Sequence, residues 1–208
     1  MGTSLYTIAN HQVPFENKSL KEIIDLILPR LNTLVLENAR FLYDFAVHWC
    51  TDSAGQPTTA VQTASYWRPL REDPRYYDFD TAAFKSIAFE GPYELQLTFT
   101  ESRLEIVNPP YRYKQWFCLQ SADGTEAMDH RNEWRRYMRQ VVYAFGGNRV
   151  LYLADNAHPM NKYLFMDEPF DLIEQALRND FGEPATSFKQ VCEQLETRYF
   201  LDQFADLP

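Results

Sequence analysis

The sequence predicts an α+β fold, with one domain over residues 1–208. A mainly antiparallel sheet of five or six strands carries helices packed mostly on one face. Three observations predict this. Tyr93, Leu95, Leu97 and Phe99 alternate with Glu94, Gln96, Thr98 and Thr100, the period of a half-buried strand. A turn at Glu101-Ser102 and a return over 104–108 make this a hairpin, the connection of antiparallel sheets. Finally, Trp134, Tyr137, Met138, Val141, Val142 and Phe145 fall on one face of a helix that needs a sheet to bury against.

The elements follow in chain order. Residues 5–13 read as a first strand with Tyr6 and Ile8 on one face. Ser19 and Glu22 have the spacing of a capping box, each able to satisfy a free backbone N–H of the other. Behind them Leu20, Ile23, Ile24, Ile27 and Leu28 form an apolar helical stripe. Pro29 should stop or kink that helix, because its ring clashes with the carbonyl four residues back. A second helix is expected over 38–49, with Phe41, Leu42, Phe45 and Trp49 inward. Residues 51–80 are the least regular part, with a strand over 59–67 as an alternative reading. Strands are expected at 86–90, 93–99 and 104–108, and 111–117 is either an edge strand or a structured loop.

The helix over 129–145 ends at Gly146-Gly147, where glycine takes the left-handed conformation without a side-chain clash. A short strand, 149–154, follows. Asp167-Glu168-Pro169 opens another helix, with Phe170, Ile173, Ala176 and Leu177 inward and Gly182 as its stop. Ser187 and Gln190 repeat the capping spacing before a last stripe of Phe188, Val191, Cys192, Leu195 and Tyr199.

Apolar residues make up 45% of the chain, which excludes a disordered protein. No apolar run reaches membrane-spanning length, and the N-terminus has no basic region followed by an apolar one, so a cytoplasmic protein without a membrane partner is expected. Cys50, Cys118 and Cys192 are odd in number and far apart, as buried reduced thiols are. The net charge of −9 is uneven: residues 151–208 hold eleven acidic and four basic side chains. Residues 103–149 reverse the sign, with eight basic against five acidic. An acidic surface repels phosphate, so nucleic acid is a poor partner and a basic protein a better one.

His11, His48, His130 and His158 lack the paired spacing of a zinc motif, so no metal and no cofactor is expected. Gly146-Gly147-Asn148 lies between helix and strand, the reverse of the order a dinucleotide loop needs. Asp155 and His158 follow a strand end, the place for the alternative reading of a small cytosolic enzyme. No nucleophile motif accompanies them, and Asp155-Asn156 is also good turn chemistry. Arg131, Arg135, Arg136 and Arg139 either form a basic patch or pair with acid from the C-terminal region, and pairing is the simpler reading. The stretch 66–80 mixes Tyr and Trp with carboxylates. Tyr76 and Tyr77 have the character of interface anchors, and Glu72, Asp73, Asp78 and Asp80 that of charges steering a basic partner. An aromatic loop folded over the core is the competing reading.

Three runs carry a resemblance: Pro109-Pro-Tyr-Arg-Tyr-Lys-Gln-Trp-Phe117, Arg131-Asn-Glu-Trp-Arg-Arg-Tyr137 and Ala144-Phe-Gly-Gly-Asn-Arg-Val-Leu-Tyr-Leu-Ala-Asp155. Together they resemble small bacterial immunity proteins, which neutralise the toxin domains of contact-dependent or secreted antibacterial systems. The resemblance implies an acidic cytosolic binding protein without catalysis, its partner a cognate toxin domain. That class spans many unrelated folds, so the resemblance assigns no residue a role.

Overall fold

The computed structural model describes residues 5–34, 67–69, 86–91, 95–107, 125–154, 162–163, 168–194 and 196–205. The fold class is α+β, as expected, with seven strands among the described residues rather than five or six. The chain divides into two compact units, Val13–Glu101 and a discontinuous one made of Met1–Gln12 with Ser102–Pro208.

The Val13–Glu101 unit holds helix α1 (Leu20–Thr33) and strands β2 (Arg68–Pro69), β3 (Ser86–Glu90) and β4 (Gln96–Thr100). The capping box of α1 forms: Ser19 Oγ accepts from the Glu22 N–H at 3.3 Å, and the Glu22 carboxylate accepts from the Ser19 N–H at 2.7 Å. Contrary to expectation, α1 runs through Pro29. Proline removes the bond to the carbonyl of Asp25, and both residues lie on the exposed side, so that carbonyl need not be buried unpaired. Ile23, Ile27 and Leu31 form the buried stripe. The three strands pair antiparallel, β2 to β3 to β4. Pro69 costs the ladder no donor, since β2 pairs with β3 alone among the described strands. Ile87, Phe89, Leu97 and Phe99 lie on one buried face, with Phe89 and Phe99 edge to face at 5.9 Å.

The hydrogen bonds from Ser19 hold the Glu22 carboxyl below its ordinary range. A lowered carboxyl stabilises the fold above its unfolded pKa, and this contribution is lost as pH falls through the lowered folded value. We therefore expect Ser19→Ala to destabilise the protein at neutral pH and the gap from the parent to narrow in acid. Urea titrations at two pH values check this; a gap that does not change with pH contradicts it.

The second unit holds β1 (Leu5–Ala9), β5 (Leu104–Val107), α2 (Thr125–Ala144), β6 (Arg149–Ala154), α3 (Phe170–Phe181), α4 (Phe188–Glu193) and β7 (Phe200–Gln203). Its strands are ordered β5-β1-β6-β7, all neighbours antiparallel. Alternation divides their side chains between two faces. Ile8, Leu151 and Leu153 join Phe170, Ile173 and Leu177 of α3, together with Tyr163 and Tyr199, in one buried cluster. On the other face Thr7, Tyr152, Phe200 and Asp202 are buried in register. Phe188 of α4 packs on Tyr152 and Phe200, at ring distances of 4.9 and 4.4 Å. Arg135 of α2 reaches Asp202 on the same face. Of the three helices among this unit's described residues, α2 and α4 thus share a face, and α3 lies on the opposite one.

Helix α2 ends as its sequence requires. Gly146 has φ +76°, its N–H donates to the Tyr143 carbonyl at 3.1 Å, and the Gly147 N–H donates to the Val142 carbonyl at 2.8 Å. This double closure satisfies carbonyls that a helix end leaves open. The side-chain oxygen of Asn10 then accepts from the N–H groups of Asn148 and Arg149, at 2.9 and 2.8 Å. It pins the start of β6 against the end of β1.

The inner side of α2 buries Trp134, Tyr137, Met138, Val141, Val142 and Phe145, the six residues the helical spacing selects. The Tyr137 hydroxyl is buried without a hydrogen-bond partner, and burial alone drives its pKa well above the phenolic range. A dry, unpaired hydroxyl opposes folding. Tyr137→Phe should therefore leave stability unchanged or raise it by up to about 1 kcal/mol in urea denaturation. A clear loss of stability would mean that the hydroxyl has a partner.

Candidate functional site

The six residues proposed as partner contacts, Glu72, Asp73, Tyr76, Tyr77, Asp78 and Asp80, lie outside the described residues, as do Asp155 and His158. So do the expected helix over 38–49 and the segment 111–117. From the aromatic stretch, Trp67, Arg68 and Pro69 are described. The Trp67 ring is buried over Gly91, and its backbone N–H donates to the Asn32 side chain at 3.0 Å. The start of this stretch is therefore built into a packed unit. Arg68 pairs with Glu90, its cross-strand neighbour, at 2.5 Å.

Beside the buried pair of Arg103 with Glu105, three further polar clusters occur among the described residues of the discontinuous unit. The first joins α2 to β7. Arg135 Nε and Nη2 donate to the two oxygens of Asp202 at 2.8 and 2.5 Å, the two-pronged geometry that suits a guanidinium. The guanidinium also lies 5.1 Å from the Phe200 ring centre and 5.7 Å from that of Phe188. The hydrogen bond to Asp202 raises the Arg135 pKa against the opposing effect of burial. Tyr152 stands in the same layer. Burial first, then the Asp202 charge, pushes its pKa well up, while its hydroxyl lacks the geometry of a hydrogen bond. The Asp202 carboxylate is buried and the guanidinium is partly exposed beside Phe188 and Phe200, so the pair acts as a clamp between helix and strand. For Arg135 it bears out the simpler reading, because the C-terminal region supplies its partner, whereas Arg139 lies over the Tyr143 and Phe204 rings.

The second cluster is a chain of charges along α3. Arg149 lies over the Phe170 ring and pairs with Asp171 and, at 2.9 Å, with Glu174. Arg178 pairs with Glu174 at 3.1 Å and with Glu183 beyond the helix end. Exposure limits what such pairs add to stability. In the third cluster Asp180 receives Lys162 Nζ at 2.5 Å and the Tyr163 hydroxyl. The bonds from Lys162 and Tyr163 lower the Asp180 pKa, and the bond to Asp180 pushes Lys162 up to about 12. Asp180 and Lys162 therefore hold fixed opposite charges at neutral pH.

Among the described residues, no three His, Cys, Asp or Glu side chains gather where they would hold a metal ion. No helix among them is long and apolar enough to cross a membrane. Comparison with known proteins finds no matching family model, no matching curated protein and no matching solved structure.

Proposed function

We propose that the chain is a toxin-neutralising immunity protein that binds a cognate, basic antibacterial toxin domain in the cytoplasm. The observation that carries this reading is the charge: −9 overall, gathered in residues 151–208 and joined by the aromatic and acidic stretch 66–80. A basic partner is attracted to such a surface over several ångströms, and Tyr side chains supply the desolvated contacts once it arrives. The resemblance of the runs at 109–117, 131–137 and 144–155 to immunity proteins supports the same reading. So does the character of the described polar clusters, which are paired and suit a scaffold. In this account Glu72, Asp73, Asp78 and Asp80 raise the encounter rate and Tyr76 and Tyr77 slow release.

The test is binding kinetics against the toxin domain encoded by the neighbouring gene, with circular dichroism as the folding control. Charge reversal at the four acids should slow association and weaken its salt dependence, because the long-range attraction is gone. Tyr76→Ala should speed dissociation, with an affinity loss of about 1–3 kcal/mol. Folded variants that bind like the parent would remove this stretch from the interface.

A further inference from the structure

We draw no further inference here: the strongest candidate, the outer face of α3 around the exposed Leu172 with the carboxylates of Asp171, Asp180 and Glu183 about it, has those carboxylates already paired with Arg149, Lys162 and Arg178, and nothing in the structure shows what covers it.

Discussion

Gly147→Ala should destabilise the protein by about 3 kcal/mol, which combines overpacking with weakened hydrogen bonds at Asn10. A Cβ at this position would sit 2.0 Å from the backbone oxygen of Asn10 and 2.9 Å from its carbonyl carbon. Neither atom belongs to a flexible side chain, so β1 or the α2–β6 turn must move. That movement also disturbs the Asn10 side chain, which caps the N–H groups of Asn148 and Arg149. Gly182→Ala is the control. Unlike Gly147, Gly182 has φ +76°, and a Cβ there meets nothing within 4 Å. Only conformational strain is added, about 1–3 kcal/mol, because φ +76° with ψ −158° is a region essentially restricted to glycine. Urea denaturation of both variants separates the two effects. A Gly147→Ala variant as stable as the parent would mean that the close approach of the two chain segments at Gly147 does not matter.

Asp202→Ala should cost about 2–3 kcal/mol by removing the partner of Arg135. The carboxylate side chain is only 6% exposed, whereas the guanidinium is 36% exposed. Water reaches the stranded arginine, so the expected loss falls below that of a fully buried pair. Arg135→Ala should cost at least as much, because it strands the more buried charge and also removes the stacking on Phe188 and Phe200. Replacing both residues, Arg135→Met with Asp202→Leu, should recover much of the loss, since no buried charge is then left alone. A double-mutant cycle reads the coupling. Strict additivity of the two alanine variants would contradict a direct interaction.

This ion pair also explains what the sequence hid. Strand β7 was not expected from the chain, although Phe200, Leu201, Asp202 and Gln203 alternate inward and outward as a strand should. The second inward position is an aspartate, and an acid at a core position reads as a surface residue until its arginine is known. That arginine lies 67 residues earlier, on α2. Tyr199 was misplaced for a related reason. Its spacing fits the α4 stripe, but α4 stops at Glu193, and Tyr199 is buried against α3 with its hydroxyl on the Gly182 carbonyl at 2.8 Å. Ser187 does cap α4, yet the Gln190 side-chain oxygen accepts from the Thr186 N–H, at 2.9 Å, instead of from the Ser187 N–H. Strand β2 is two residues long, too short for any period to show.

Features governed by local chemistry were legible. The capping box of α1, the glycine closure of α2, the strand β6 and the inner faces of α2 and α3 all depend on residues within a few positions of one another. Pro29 shows the limit of such rules: the proline clash was anticipated, but not that the broken bond would face solvent. For the candidate interface, charge and aromatic content were readable at 66–80, and its residues from Glu72 to Asp80 lie outside the described structure.

The central claim, that this is an acidic protein built to capture a basic toxin domain, is tested most directly by the parent protein itself. The measurement is its association rate with the neighbouring toxin domain across a range of salt concentrations. The account predicts tight binding with an association rate that falls steeply as salt rises, because screening weakens the attraction of an acidic surface for a basic one. No binding, or an association rate indifferent to salt, would contradict it.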